Sequence, residues 1–262
     1  MINDENKDLT PRGVMQPVFE KKFQIRSYEV DFTGRVRPAT LLNFLQEAAG
    51  DHARLLHVAV RDLMRNGLTW VLSRTHLRCF DTAHSREEIL IRTWPSIRGG
   101  RFTCREFELF GADGRPVAVA TGSFAVLDLA TRRPITIDDR LPEYPLLAQR
   151  ALDDDFATLP RLGEADTEKS FQVGMQDLDI NGHANNVAYA GWALETVPME
   201  VVKSCRLADL EIAYRAEVLY GETVVSRCRA TVEGDEKEFL HQLVRREDGT
   251  ELTRVVSRWV TI

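Results

Sequence analysis

Cysteine is scarce and scattered in this 262-residue sequence. Cys79, Cys104, Cys205 and Cys228 make no C-x-x-C pair of the kind that zinc sites and redox motifs use. A chain of this size does not depend on disulfide staples either, so reduced, structural thiols are expected. No uncharged apolar run approaches the roughly 18 residues of a membrane span. The opening MINDENKDLT is acidic and polar, unlike a signal or transit peptide. These absences predict a soluble, cytoplasmic protein with no membrane insertion. Lysine is rare as well, six against 28 arginines, and the formal charge of −6 has the wrong sign for a nucleic-acid partner. G-x-G-x-x-G, a P-loop, G-x-S-x-G and H-E-x-x-H are all missing, which removes four common chemistries. His52, His57, His76, His84 and His241 show no ligand spacing, so neither a metal nor a cofactor is expected.

The sequence does contain a repeat. Residues 20–47 align with 168–195 without a gap, with seven identities in 28 positions: Glu20/Glu168, Lys21/Lys169, Phe23/Phe171, Gln24/Gln172, Asp31/Asp179, Gly34/Gly182 and Glu47/Glu195. Chance gives on the order of two at average composition. Further on, Asp113-Gly114 answers Asp248-Gly249, and Phe124 answers Trp259. The chain thus divides into an N-terminal extension (1–19), a first half (20–137), a linker (138–167) and a second half (168–262). The linker is acidic and carries Asp153, Asp154 and Asp155, expected to be a solvated charge run in a plain connector.

Each half has the same order. A strand (Phe23–Val30; Phe171–Leu178) leads into a D-x-x-G turn and then a helix. The first helix has Pro38 at its start and the stripe Leu41, Leu42, Leu45, Ala48, Ala49, Leu55 and Leu56. The second runs from about Asn186 to Thr196. Strand-like runs come next at Thr69–Phe80, Glu88–Trp94, Arg101–Phe110 and Arg115–Leu127, and again at Leu207–Glu217, Thr223–Val232, Glu238–Arg245 and Thr250–Thr261. The Asp-Gly pairs mark hairpins. One long helix followed by an antiparallel meander is α+β. A sheet wrapped round one helix, occurring twice, predicts a double hotdog.

The halves diverge at polar positions. Thr33, Arg35, Arg37 and Pro38 are replaced by Asn181, His183, Asn185 and Asn186. Three amides and an imidazole at the positive end of a helix form a dense set of neutral donors that can stabilise an oxyanion. Asp179 adds a carboxylate two residues before Asn181. Tyr189 and Trp192 read as core aromatics.

The run D-L-D-I-N-G-H-A-N-N-V-A-Y-A-G-W-A-L-E (177–195) resembles the signature of acyl-[acyl-carrier-protein] thioesterases, the plant plastid enzymes and their bacterial relatives. Tyr214-Arg215-Ala-Glu217 resembles the family's later Y-R-x-E segment. Thr69–Arg74 and Arg140-Leu-Pro are similar to its N-terminal half and connector. The resemblance implies hydrolysis of medium- to long-chain acyl-ACP to free fatty acid and holo-ACP, ending fatty acid elongation, with Asp179, Asn181, His183 and Glu217 at the catalytic positions of the C-terminal half. Asp179 and Glu217 would hold and deprotonate a water, while Asn181 and His183 orient the carboxylates and polarise the carbonyl. Asn185 and Asn186 would contact substrate. The acyl chain would lie in the N-terminal half against Leu41, Phe44, Leu45, Trp70 and Leu72. Some relatives carry a cysteine just after the glutamate; Val218 stands there here, so a thiol mechanism at that place is closed. The implied partner is acyl carrier protein, presenting the acyl group on phosphopantetheine, and the chain would be a monomer or homodimer. Arg98, Arg101, Arg132, Arg133, Arg35 and Arg37 are the candidates for receiving that acidic partner. The alternatives are an acyl-CoA thioesterase of hotdog type and a non-catalytic acyl-binding sensor.

Overall fold

A computed structural model describes residues 15–262 apart from Glu233. Residues 1–14 of the expected N-terminal extension, with its polar opening, lie outside the described residues. In chain order come β1 (Phe19–Gln24), α1 (Pro38–Leu55), α2 (Val60–Met64), β2 (Leu68–Cys79), β3 (Glu88–Gly99), β4 (Phe102–Gly111), β5 (Pro116–Asp128), the two-residue β6 (Arg133–Pro134) and α3 (Ile137–Arg140). The second half holds β7 (Thr167–Gln172), a 3-10 turn (Met175–Asp177), α4 (Asn186–Leu194), α5 (Met199–Ser204), β8 (Cys205–Tyr214), β9 (Thr223–Val232), β10 (Glu236–Arg245) and β11 (Glu251–Thr261).

All strand pairings are antiparallel and belong to one sheet, ordered β1-β3-β4-β5-β2-β8-β11-β10-β9-β7, with β6 on β5. The order reads the same from either end: β1, β3, β4, β5 and β2 answer β7, β9, β10, β11 and β8. The two halves meet at β2 and β8, where Arg74 to Arg78 lie opposite Ala213 to Asp209. On the inner face α1 packs on β1 and β3, α4 on β9, β10 and β11, and the two helices touch each other. One apolar cluster therefore contains Leu41, Phe44 and Ala48 from α1 together with Tyr189, Trp192 and Ala193 from α4. Burying such Leu and Phe side chains contributes about 1.5–3 kcal/mol each. The protein is an α+β double hotdog.

Local chemistry explains the element ends. Pro38 opens α1, where a missing N–H costs nothing, and His52 and Arg54 sit in its last turn, against the negative end of the helix dipole. The first strand stops earlier than its apolar pattern suggests: after Gln24 the chain leaves the sheet, and Val30 pairs instead with Val36 across the Asp31–Gly34 turn. β3 runs past the expected stop at Trp94, because the ladder absorbs Pro95 with a bulge between Pro95 and Ile97.

The linker departs most from expectation. It is a strap across the outer face of the sheet, and its acidic run is only partly solvated. Leu147 N donates to Pro95 O (3.0 Å) and Trp94 Nε1 to Gln149 O (2.8 Å). Glu106, with no exposed surface, accepts from Arg150 Nε (2.8 Å), Ala151 N (3.1 Å), Ser96 Oγ (2.6 Å) and Thr121 Oγ1 (3.0 Å). Asp154 is clasped by His76, whose Nδ1 donates to Asp154 Oδ2 at 2.7 Å while Nε2 faces both oxygens of Asp209 at 3.1 Å. His76, Asp154 and Glu211 lie close enough together for a metal ion. Both ring nitrogens, however, point at carboxylates, the arrangement of a donating imidazolium that has no lone pair for an ion. Burial opposes the charge on His76, but hydrogen bonds and charge from Asp209 and Asp154 outweigh it and raise its pKa. The Asp209 carboxyl is held below its ordinary range by His76, Arg78 and Arg258 against the opposing effect of burial.

The clasp predicts a pH signature. The His76 contribution is complete below its unfolded pKa and disappears as pH rises through the higher folded value. The Asp209 contribution is complete above its unfolded pKa and disappears as pH falls through the lower folded one. His76→Gln should therefore destabilise the protein by about 2 kcal/mol at pH values below the ordinary histidine pKa of 6.5, with the difference from wild type shrinking as pH rises through the raised folded value. Chemical denaturation across that range checks this; a pH-independent difference would mean that His76 is not charged in the fold.

Candidate active site

Residues 31–38 and 179–186 fold into the same frame. Asp31 Oδ1 accepts from Thr33 N (2.7 Å), Thr33 Oγ1 (2.5 Å) and Arg35 N (3.2 Å). Asp179 Oδ1 accepts from Asn181 N (2.8 Å) and His183 N (3.3 Å), and Asn181 Nδ2 reaches Asp179 Oδ2 (3.1 Å). Gly34 (φ 81°) and Gly182 (φ 80°) take the left-handed conformation that closes each turn. The aspartate is thus a turn-former in both halves. Of the roughly four lone-pair positions on a carboxylate, the Asp179 turn fills three and leaves one on Oδ2.

The residues after the aspartate separate the halves. In the first, Arg35 turns inward and donates to Cys205 O (2.8 Å) and Val202 O (2.5 Å), tying the seam. In the second, His183 pairs with Leu219 and Ala184 N donates to Val218 O (3.0 Å), which brings the 217–219 segment alongside the turn. His183 Nε2 then lies 3.5 Å from Glu217 Oε2. The corresponding bridge in the first half joins Arg35 to His84 and puts Thr82 where Glu217 stands. Tyr189, in place of Leu41, brackets Glu217: its hydroxyl accepts from Val218 N (3.0 Å) and donates to Ala216 O (3.4 Å). Arg245 Nη2 fixes Glu217 O at 2.6 Å. Asn185 caps α4 by accepting from Val187 N (3.0 Å), and Asn186 O accepts from Tyr214 Oη (3.3 Å).

Beside this turn opens a cavity of about 760 Å³. Asp179, Asn181, Asn185, Asn186 and Tyr214 contribute from the second half. The rest of the lining is mostly first-half and apolar, including Leu42, Leu45, Ala49, Trp70, Leu72, Phe107 and Phe124. His183 and Glu217 stand beside the lining, not in it, with side chains 32% and 53% exposed. Of the residues expected along the acyl chain, Leu45, Trp70 and Leu72 line this cavity. Leu41 and Phe44 do not: they turn toward the sheet and α4, Phe44 stacking on Phe23 at 4.4 Å. The lining face of α1 is Leu42, Leu45, Ala49 and Ala53, a neighbouring stripe.

Sequence reasoning missed Arg105, which lines the cavity from β4. The signal was present, since alternation places it with Thr103, Phe107 and Leu109 on an otherwise apolar strand face. The four cysteines are buried, and burial pushes Cys79 up to about 12 and Cys228 up to about 11, far from thiolate chemistry. Two of the expected docking arginines are engaged elsewhere. Arg35 binds the seam, and Arg98 binds Asp138 and the carbonyls of Leu141 and Pro142. Arg37, Arg101, Arg132 and Arg133 are exposed, with Arg132 Nη1 3.9 Å from Glu217 Oε2.

A family model described as the acyl-ACP thioesterase N-terminal domain matches residues 16–144, and one described as the acyl-ACP thioesterase C-terminal domain matches 161–261. A palmitoyl-acyl carrier protein thioesterase from Gossypium hirsutum is 29% identical over 92% of this chain and 63% of its own length. An oleoyl-acyl carrier protein thioesterase from Arabidopsis thaliana is 28% identical over 92% of this chain and 75% of its own. The chain therefore spans less than two thirds of the first relative's length and three quarters of the second's. Among solved structures, the 12:0-ACP thioesterase from Umbellularia californica superposes with a TM-score of 0.84 at 24% identity, covering 95% and 96% of the two chains. An acyl-ACP thioesterase from Bacteroides thetaiotaomicron gives 0.78 at 25%, covering 93% and 98%.

The bracket around Glu217 is testable as structure. Tyr189→Phe removes the acceptor of the fully buried Val218 amide. It should cost about 1–3 kcal/mol of unfolding free energy. Urea denaturation measures it, and a loss below about 0.5 kcal/mol would show that the hydroxyl does not hold this segment.

Proposed function

The chain belongs to the acyl-ACP thioesterase family, and from that premise we propose that it hydrolyses fatty acyl-ACP to free fatty acid and holo-ACP. In this reading the first half binds the acyl chain and the second half supplies the chemistry. The observation that carries it is the continuity of one cavity from the Asp179–Asn186 turn into the apolar interior of the first half. A fatty acyl thioester has that polarity pattern: one polar reacting end and one long apolar tail.

The reacting water takes the free lone pair of Asp179 Oδ2, with Glu217 as its second holder. Water oxygen attacks the thioester carbonyl carbon as the proton passes to the carboxylate. Asn181 Nδ2, beside Asp179, and His183 Nε2, beside Glu217, are the donors this reading assigns to the developing negative charge, and the N-terminus of α4 adds its dipole. Collapse of the tetrahedral intermediate breaks the C–S bond, and the proton held by the carboxylate returns to sulfur. His183, 3.5 Å from Glu217, also positions that carboxylate. Val218, buried where some relatives carry cysteine, leaves water as the nucleophile consistent with the residues present. A single chain holds both halves of the pocket. Arg132 and Arg133, with the exposed Ile180, Leu219 and Tyr220, form a basic and apolar rim near Glu217 suited to an acidic carrier protein.

Asp179→Asn and His183→Ala should each lower kcat on acyl-ACP by at least about 100-fold, whereas Asp31→Asn, which disturbs the same turn in the first half, should keep most of the turnover. Steady-state kinetics on folded variants decides: comparable losses for Asp31→Asn and Asp179→Asn would reduce Asp179 to a turn-former, and near-wild-type His183→Ala would remove the imidazole from the mechanism.

A further inference from the structure

Arg105 is the one charged group set into the apolar part of the cavity wall among the described residues that line it away from the turn and the helix surface. It is 9% exposed, yet it forms no ion pair among the described residues. Its hydrogen bonds to the described residues leave Nη1, one to His52 Nδ1 (3.0 Å) and one to Thr93 Oγ1 (3.3 Å). His52 can accept because its Nε2 faces the carbonyl oxygen of Gln16 (3.1 Å), and burial with the charge of Arg105 pushes its pKa down to about 4, leaving it neutral. Burial lowers Arg105 itself to about 10, so the guanidinium keeps its proton at neutral pH. The protein thus holds a desolvated cation on neutral partners, an arrangement that is costly without a counter-charge.

The cavity wall runs from Arg105 on β4 across β5 and β2 to Tyr214 on β8, whose hydroxyl donates to Asn186 O at the end of the polar turn. Three strand spacings, roughly 14 Å, separate β4 from β8 in the order β4-β5-β2-β8. Arg105 therefore stands across the wall from the strand that touches the turn. Tyr144, from the strap, reaches the same wall and shares a hydrogen bond with Thr103 Oγ1 (3.3 Å), so further polar capacity stands beside the guanidinium. A plain hydrocarbon tail leaves the guanidinium without a counter-charge.

Building on the acyl-pocket reading above, we propose that this wall is a receptor for an oxygen at the far end of the acyl group, a carboxylate above all, with the remaining N–H groups of Arg105 as donors. The substrate class this adds is acyl groups oxygenated near their distal end, held with the thioester at the turn and the second polar group at Arg105. A carboxylate neutralises the cation and accepts two parallel hydrogen bonds; a hydroxyl or keto oxygen accepts one.

Binding tests this without any hydrolysis. Two probes of equal length, methyl dodecanoate and monomethyl dodecanedioate, differ only in a methyl or carboxylate far end. Their affinities for the whole protein are read by displacement of a fluorescent fatty-acid analogue. Wild type should bind the carboxylate-ended ester at least as tightly as the methyl-ended one. Arg105→Leu should weaken the former relative to the latter by at least about tenfold. Exchanging a buried cation for an apolar side chain is commonly tolerated by the fold; should that variant fail to fold, Arg105→Gln gives the same comparison. A ratio of affinities left unchanged by substitution overturns the proposal. Because the readout is affinity, a protein that shows this ratio but no turnover of acyl-ACP would refute the hydrolase reading and leave the receptor standing.

Discussion

The pairing of β2 with β8 is the constraint on which the remaining architecture depends. Five residue pairs, from Arg74 opposite Ala213 to Arg78 opposite Asp209, fuse two five-stranded sheets into one surface. That register sets α1 and α4 side by side on the inner face and places Thr75 and Tyr214, neighbours across the seam, in the wall of one cavity. On the outer face it brings His76 against Asp209, giving the strap its anchor at Asp154. Shifting β8 by one residue would turn Tyr214 out of the cavity wall and Asp209 away from His76.

Duplication supplies the frame and divergence supplies the chemistry. Both halves use an aspartate to close the turn before the helix, so its presence alone does not identify a site. The distinction lies in the residues that the frame positions: Arg35 reaches across the seam to backbone carbonyls, whereas His183 stays at the surface beside Glu217. The helices diverge as well. α1 has 18 residues and α4 has nine, so the longer helix extends the first-half face of the cavity, while the second half packs Tyr189 and Trp192 into the shared core.

The repeat, the hairpins and the turn were legible because they are written in short-range signals: alternation, Asp-Gly pairs and an Asx turn followed by a helix start. Other features depend on three-dimensional neighbours. Leu41 and Leu42 are equally apolar and adjacent, yet they sit about 100° apart on the helix; which of them meets a cavity and which meets the sheet depends on where the sheet curves. Asp154 looked like part of a solvated run because its partner, His76, lies 78 residues away. Arg98 and Arg35 looked like surface cations because the carbonyls they bind belong to distant segments. Arg105 could have been read from strand alternation alone, as a charge on an apolar face.

The central claim is that the polar turn of the second half works on a group whose tail fills the first half. The most direct test is kcat/KM as a function of acyl length on acyl-ACP for wild type and Leu72→Trp, a substitution that fills the cavity away from Asp179 while the folded state is verified by thermal denaturation. The account predicts a loss that grows with chain length, at least about tenfold greater for a long saturated chain than for a short one. A loss equal at every length, or full turnover of long chains, would contradict it.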